Sequence, residues 1–319
     1  MLSTAPLHND LAEGPPGGAA WWLNAADGVR IRIGHWPAAP ATRPAGTVFL
    51  FPGRTEYVEK YGRLAGDLAA QGYAMVAIDW RGQGLADRLL ADHMVGHVGR
   101  FSDYQLDVVA VVAAARAMDL PQPWFLMAHS MGGCIGLRSL LPGMPGMIPF
   151  RAAAFSAPMW GIGIKPHLRP GAWVVSTLAP LVGQGGAYSP GTGPSTYVVD
   201  APYADNSLTT DRDMWDYMGR QVRGCPDFAL GGPSMGWLGE SLREMRRLRH
   251  GPLPATPTLV GLGTRERIVD PLAVRAVMAR WKAAEFLVID GSEHELFMEA
   301  PATRARFLAA ATALFRRAA

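Results

Sequence analysis

The stretch that most constrains this chain is Trp124-Phe125-Leu126-Met127-Ala128-His129-Ser130-Met131-Gly132-Gly133. An apolar run leads into a serine, small residues follow, and a helix-like segment runs from Cys134 to Leu141. The order strand, sharp turn, helix lifts a serine hydroxyl to the tip of a buried parallel strand, the geometry of a nucleophile elbow. Small residues belong there because backbone and helix meet closely and a Cβ would clash. Gly132 fills the second small position. Ala128 stands where the commonest form has glycine, so the match is A-x-S-x-G. An ordinary βα turn with a serine N-cap would use the same five residues, so the rest of the chain has to decide.

Around that stretch the pattern is strand and helix in turn. Trp21 to Asn24 and Val29 to His35 flank Asp27-Gly28 and read as a hairpin. Residues 37–44 read as a linker. Thr47 to Phe51 reads as a buried strand, Glu56 to Gln71 as a helix closed by Gly72, and Ala74 to Asp79 as the next strand. Ser102 is placed to cap a helix through Met118. Trp124 to Ala128 and Ala152 to Ser156 are further strands. The alternation stops from Met159 to about His250, where Pro and Gly loops mix with tryptophans at 160, 173, 215 and 237. It resumes with a strand at 257–261, a helix at 271–281, a strand at 285–289 and a closing helix at 302–317. Buried strands alternating with helices predict an α/β fold, a mostly parallel sheet flanked by helices on both faces. The expected organisation is a loose lead-in at 1–19, a core from 20–157 and 252–319, and an insertion at 158–251.

Totals narrow the classes further. A charged fraction of 18% is below the roughly 25% common in globular domains and points to a surface richer than usual in apolar area. The net charge is +3, and the basic residues are dispersed. Their densest cluster, Arg243 to Arg249, reads as a solvated helix face, not a nucleic-acid patch. Cys134 and Cys225 give neither a disulfide framework nor a zinc pattern. Met1 to Gly14 lacks the apolar core of a secretory signal, and Val108 to Ala115 is too short for a span of about 20 residues. The expectation is a cytoplasmic chain without metal or organic cofactor, with no nucleic-acid partner. Its oligomeric state is unread.

A serine hydroxyl is a weak nucleophile until a base sits within hydrogen-bond reach and an acid orients that base. In a sheet of this kind those partners follow on later loops, in the order serine, acid, histidine. The chain offers Gly263-Thr264-Arg265-Glu266-Arg267-Ile268-Val269-Asp270 after one strand and Asp290-Gly291-Ser292-Glu293-His294-Glu295 after the next. His294 is the only histidine beyond the acid loop. His129 adjoins the serine, but neighbours on an elbow point apart. Asp270 could orient the histidine or cap the helix at Pro271. Two backbone N–H groups should stabilise the oxyanion, one from Met131 and one from the loop after residues 47–51.

These residues resemble the α/β-hydrolase superfamily, and within it the monoglyceride lipase and lysophospholipase family of serine hydrolases. The resemblance runs from Val48 onward. It rests on Phe51-Pro52-Gly53-Arg54, Asp79-Trp80-Arg81-Gly82-Gln83-Gly84, the elbow, Asn206-Ser207-Leu208-Thr209, Gly232-Pro233-Ser234, Gly263 to Asp270 and Gly291 to His294. It implies Ser130 as nucleophile and His294 as base. By motif register Glu266 is the orienting acid, where relatives usually carry aspartate, and Asp270 is the rival. It implies Arg54 as the second oxyanion donor, after Pro52-Gly53 where relatives often have His-Gly. The insertion resembles a cap, and the implied substrate is a single-chain lipid ester, a lysophospholipid or monoacylglycerol. Peripheral membrane contact is consistent with such a substrate, although no amphipathic anchor stands out. A guanidinium beside the oxyanion hole could meet a lipid phosphate, against a pairing of Arg54 with Glu56 or a cap carboxylate. Arg81 to Gly84 reads as a structural turn. Small esters, lactones, N-terminal peptide bonds and a silent binding protein on the same fold are the alternatives.

Overall fold

The central segments carry Val, Ile, Leu, Met, Phe and Ala without polar alternation, so strands made of them need cover on both faces. The computed structural model describes residues 2–40, 44–143 and 150–319, and it gathers these segments into one nine-stranded sheet. Its strands are β1 (Ser3–Ala5), β2 (Ala19–Asn24), β3 (Arg30–Trp36), β4 (Gly46–Phe51), β5 (Tyr73–Asp79), β6 (Trp124–His129), β7 (Ala153–Ser156), β8 (Thr258–Gly263) and β9 (Ala284–Ile289). They lie in the order β1-β2-β3-β5-β4-β6-β7-β8-β9. The pairs β1–β2, β2–β3 and β3–β5 are antiparallel, and every pair from β5 across to β9 is parallel. Register sends alternate residues to opposite faces. Phe49, Phe51, Val76, Ile78, Leu126 and Phe155 enter one core. Val48, Leu50, Met75, Ala77, Phe125 and Met127 enter the other.

Among the described residues, ten α-helices accompany the sheet: α1 (Asn9–Ala12), α2 (Gly62–Ala69), α3 (Tyr104–Ala117), α4 (Met131–Ser139), α5 (Arg169–Leu178), α6 (Tyr197–Asp200), α7 (Arg212–Gly224), α8 (Met235–His250), α9 (Pro271–Met278) and α10 (Pro301–Ala318). Side chains of α3, α4, α8 and α9 fill the first core, and those of α2, α7 and α10 fill the second. Between β7 and β8 the chain supplies α5 to α8 and no strand of the sheet. Backbone bridges tie this insertion to the body at Gly96–Pro233 and Ile162–Val269.

Three expectations need correction. The first 19 residues are not loose. Ser3, Thr4 and Ala5 pair with Trp22, Trp21 and Ala20. Helix α1 is anchored by α7, where Tyr217 Oη donates to the Ala12 carbonyl (2.7 Å) and Gln221 Nε2 to that of Leu11 (2.8 Å). The helix expected from Glu56 begins only at Gly62, after a 3-10 turn at Val58–Tyr61. Tyr57 stays extended because the Asp79 carboxylate accepts the Val58 N–H at 2.7 Å. Ser102 does not cap α3. A 3-10 turn at Phe101–Asp103 leads into it, with the Arg100 N–H on the Asp103 carboxylate at 3.0 Å. The linker expected at 37–44 includes residues 41–43, which lie outside the described residues.

Candidate active site

β6 ends at His129 and α4 starts at Met131, so Ser130 alone makes the turn, with φ +48° and ψ −115°. A non-glycine residue holds such angles only where its surroundings over-determine them. Here the Ser130 N–H donates to Ser156 O (3.1 Å), and its carbonyl accepts the N–H groups of Gly133 (2.8 Å) and Met159 (2.9 Å). Gly132 must be glycine, since a Cβ there would lie 2.0 Å from the Phe51 carbonyl oxygen. Ala128, where the commonest form of the motif has glycine, is fully buried.

The next loops deliver the acid and the histidine. Gly263 closes β8 where a Cβ would meet the Ser292 carbonyl oxygen at 2.2 Å, so the two loops can lie against each other. His294 Nδ1 is 2.6 Å from Glu266 Oε2. The other carboxylate oxygen accepts the N–H groups of Ile268 (2.6 Å) and Val269 (3.0 Å). Burial pushes the Glu266 carboxyl up, but the His294 ring and these donors outweigh it and hold the group below the usual carboxylate range. Asp270 does not reach the histidine. It caps α9 by accepting from Leu272 and Ala273 N–H, and it pairs with Arg169 at 3.0 Å. With Nδ1 committed to Glu266, the His294 nitrogen left for a nucleophile is Nε2. No hydrogen bond joins Ser130 Oγ to the His294 ring among the described residues, a looseness common in unliganded sites.

Asn206 to Thr209 brace this loop. Asn206 Oδ1 accepts the N–H groups of Leu208 and Thr209, both at 2.9 Å. The carbonyls of Ser207 and Leu208 then accept His294 N–H (3.3 Å) and Glu295 N–H (2.8 Å). The insertion therefore positions the histidine as well as lying beside it.

Across the sheet tip, Pro52-Gly53-Arg54 turns back over α4. The Met131 N–H is the first of the helix and has no intrahelical partner. The Arg54 N–H likewise takes no acceptor among the described residues. Gln83 Nε2 donates to the carbonyls of Gly53 (2.8 Å) and Glu56 (2.9 Å), and Trp80 Nε1 to that of Pro52 (3.0 Å). The turn from Arg81 to Gly84 is structural, as expected, but its glutamine and the preceding tryptophan hold the candidate oxyanion loop.

Glu56 fixes the same loop from below, accepting Gly53 N–H and Tyr61 Oη–H on one oxygen. Its other oxygen is 2.7 Å from Lys60 Nζ, which also lies 2.6 Å from Glu295 Oε2. All three charges are buried. Burial lowers a lone ammonium, but the two carboxylates together raise Lys60 above its ordinary value. Glu295 is pushed up, chiefly by burial. Glu56, His129 and Glu295 lie close enough to share a metal ion, yet the Lys60 ammonium already serves both carboxylates. His129 is turned to the Ser156 carbonyl, 3.1 Å from its Nδ1. Its ring lies 4.6 Å from that of His294, centroid to centroid. Burial drives its pKa down to about 3, so it stays neutral beside the candidate base.

Arg54 pairs with neither Glu56 nor a cap carboxylate. Its guanidinium is buried over the Trp237 ring (5.5 Å), with Nη2 on the Gly231 carbonyl and Nε without a partner. Burial lowers it to about 10.

A family model described as Hydrolase_4: serine aminopeptidase, S33, matches residues 42–301. The chain belongs to this family. It is a serine hydrolase with the α/β-hydrolase fold. Lysophospholipase L2 of Escherichia coli is 34% identical to it over 302 residues, covering 91% of this chain and 85% of that one. A probable lysophospholipase L2 of Haemophilus influenzae is 30% identical over 279 residues, covering 87% and 86%. In fold it is similar to a soluble variant of monoglyceride lipase from Saccharomyces cerevisiae crystallised with a substrate analogue. That match has a TM-score of 0.72 at 18% identity, over 93% of this chain and 95% of that chain. For this family member, sequence reasoning missed Lys60, Glu295 and Gln83. The available signal was the i, i+4 pair Glu56–Lys60, which on a helix reads as a solvated salt bridge.

Proposed function

We propose that this serine hydrolase cleaves single-chain lipid esters through Ser130, His294 and Glu266. Ser130 Oγ attacks the acyl carbonyl while His294 Nε2 takes its proton. The carbonyl π electrons move onto oxygen, facing the N–H groups of Met131 and Arg54. Collapse expels the alcohol, which leaves with the proton held by His294. Water then attacks the acyl-serine by the same path, releasing the fatty acid and restoring Ser130. Glu266 keeps the imidazole in the Nδ1–H tautomer and stabilises the imidazolium. No step calls on a metal or cofactor.

The observation that carries this reading is the 2.6 Å bond between His294 and Glu266, on the loops after β8 and β9, opposite a serine at φ +48°. The lipid-ester assignment draws support from the lysophospholipases and monoglyceride lipase to which the chain is similar. We assign residues 158–251 as a cap that shields the acyl-enzyme from bulk water. Between the two lipid classes, a buried Arg54 cation without a carboxylate favours the one that carries a phosphate. An N-terminal peptide bond, named by the family description, fits less well. A substrate ammonium needs a free carboxylate, and Glu56, Glu295 and Glu266 are already committed.

The test is fatty-acid release from lysophospholipids, monoacylglycerols and short-chain esters, with Ser130→Ala alongside. Ser130-dependent release from single-chain lipids is expected, with lysophospholipid leading. In Arg54→Met, which keeps the backbone amide, the ratio of lysophospholipid to monoacylglycerol turnover is expected to fall. Turnover of short esters alone would retain the triad and discard the lipid assignment.

A further inference from the structure

One hollow in the insertion is lined by donors without acceptors. Arg243, Arg246, Arg247 and His250 of α8 enclose it with Trp173 and Thr177 of α5, and its volume is about 790 Å³. Small-molecule sites run from about 300 to 1,000 Å³, so there is room for a ligand. No carboxylate lines it. From Trp160 to Val199 the sequence contains no Asp or Glu. Both glutamates of α8 are engaged: Glu240 with Arg243 (2.6 Å), and buried Glu244 with Arg138 of α4 (2.7 Å). The guanidinium groups of Arg246 and Arg247, the His250 ring, the Trp173 Nε1–H and the Thr177 hydroxyl have no partner among the described residues.

Helix stability alone does not ask for this arrangement. Positions 243, 246, 247 and 250 follow the i, i+3, i+4, i+7 spacing and share one face of α8. Like charges three and four apart weaken a helix. The helix dipole favours cations in the last turn, which here holds Arg247, Arg249 and His250. Arg243 and Arg246 stand before that turn, and of the two only Arg243 has a carboxylate among the described residues. The donors continue past Trp173. In the narrower cleft that this tryptophan also walls, Arg249 Nε is buried without a partner. A buried donor left unpaired is costly, and a concave set of charged donors is completed by an anion.

We propose that this hollow binds a soluble oligophosphate, an anion with two or more phosphoryl groups in a chain. From Arg243 to His250 the helix rises about 10 Å. A single phosphoryl group reaches only part of that row, whereas a chain of them meets successive guanidinium groups, each able to give paired N–H donors. The Trp173 N–H and the Thr177 hydroxyl close on it from α5. The half-buried Trp173 ring also offers a face to a nucleobase, so a nucleotide and inorganic polyphosphate are the two sources of such a chain. The site contains none of Ser130, His294, Glu266, Met131 and Arg54. It goes beyond the ester-hydrolase reading and does not rest on it. An occupant joins two helices of the insertion and stabilises the folded chain by linkage.

The experiment is calorimetric titration of the full chain with tripolyphosphate, ATP and orthophosphate at matched ionic strength, with melting curves alongside. Tripolyphosphate is expected to bind once per chain, at least about tenfold tighter than orthophosphate, and to raise the melting temperature. Arg246→Gln with Arg247→Gln is expected to weaken tripolyphosphate at least about tenfold. Without ligand this variant should melt no lower than the parent, because two like charges have gone from one face. Arg116→Gln with Arg306→Gln removes the same charge from exposed positions on α3 and α10 and should bind as the parent does. ATP binding tighter than tripolyphosphate, with the difference lost in Trp173→Ala, would support the proposal with a nucleotide as the source. ATP binding no tighter would support it with the phosphate chain as the whole ligand. Absence of tripolyphosphate binding, or equal weakening by the two arginine pairs, would overturn it. So would binding to phosphatidylglycerol vesicles without binding to tripolyphosphate, since the cations would then serve a lipid surface.

Discussion

Exchanging Glu266 for glutamine separates the two carboxylates of the acid loop. The Glu266 oxygen away from His294 accepts two backbone N–H groups, from Ile268 at 2.6 Å and Val269 at 3.0 Å. In Glu266→Gln those donors select the amide oxygen, so the amide NH2 is turned toward His294 Nδ1. A ring nitrogen facing a donor must be the acceptor, which puts the imidazole proton on Nε2. That tautomer cannot take the proton of Ser130, and the imidazolium that forms on flipping has lost its carboxylate. In the serine protease template the equivalent exchange costs about 10^4 in kcat, or about 5.5 kcal/mol of barrier. The site is buried, so solvent will not screen the loss, and kcat/KM on a short ester is expected to fall by at least about 10^3-fold. The fold should persist, because every backbone donor keeps its acceptor. Asp270→Asn is the control. Asparagine caps a helix as well as aspartate does, and the lost pair with Arg169 should cost less than about 1 kcal/mol, with turnover unchanged. The assay is steady-state hydrolysis of a water-soluble ester by both variants, with urea unfolding of each. Glu266→Gln within about tenfold of the parent, with Asp270→Asn the crippled variant, would refute the reasoning.

Other perturbations follow from the buried charges. Lys60→Met leaves two buried carboxylates facing each other without a cation. It should cost about 3–5 kcal/mol in urea unfolding, more at high pH where Glu295 cannot escape by protonation. A loss under about 1 kcal/mol would show that the three charges are not coupled. His129 is held near pKa 3 in the fold, against about 6.5 when unfolded. The unfolded chain therefore binds the proton first, and His129 contributes stability that is complete above pH 6.5 and lost as pH falls toward 3. The gap sets an upper limit of about 5 kcal/mol, and His129→Asn should flatten the acid limb of unfolding free energy against pH. An unchanged slope would place the acid sensitivity elsewhere. Gly132→Ala drives a Cβ to 2.0 Å from the Phe51 oxygen, a backbone contact that cannot yield. Expression without soluble, fluorophosphonate-reactive protein is the expected outcome, and a parental melting curve would contradict the close approach.

How much of this was legible in the sequence depended on where each residue's partner lay. Strands β4 to β8 could be read because both of their faces are buried, which leaves a continuous apolar signature. The elbow could be read because strand, serine, small residues and helix follow one another in one contiguous stretch, although the carbonyl that forces glycine at 132 belongs to Phe51 on β4. The possible N-cap role of Asp270 was legible because its partners, the N–H groups of Leu272 and Ala273, are local. Ser3-Thr4-Ala5 carried no such signal, since its strand state depends on pairing with Trp21 and its neighbours beyond α1. Lys60 carried no readable role, because its second carboxylate, Glu295, arrives from a loop 235 positions further on. The outward face of α5 was hidden for a related reason: composition shows Leu and Val on a helix, but Val174, Val175 and Leu178 are exposed, and the close approach to α8, where a Cβ on Gly239 would meet the Ser176 carbonyl oxygen at 2.7 Å, is made far off in sequence.

The buried ions explain why the oxyanion loop can be built from Pro52-Gly53 instead of a sequence that brings its own polar side chain. A turn that must leave one N–H free for catalysis cannot be closed by its own backbone bonds, so its remaining groups need outside partners. Gln83 and Trp80 supply them from the turn after β5, and Glu56 from the segment that leads to α2. Of these, the glutamate is the costly choice, because a buried carboxylate must itself be compensated. Lys60 provides that compensation, and Glu295 adds a second carboxylate that holds the buried ammonium charged. Glu295 is the immediate neighbour of His294. The same chain of charges thus runs from the loop of the candidate oxyanion donor to the loop of the candidate base. A change at Lys60 should therefore disturb both halves of the candidate site together, although Lys60 pairs only with Glu56 and Glu295.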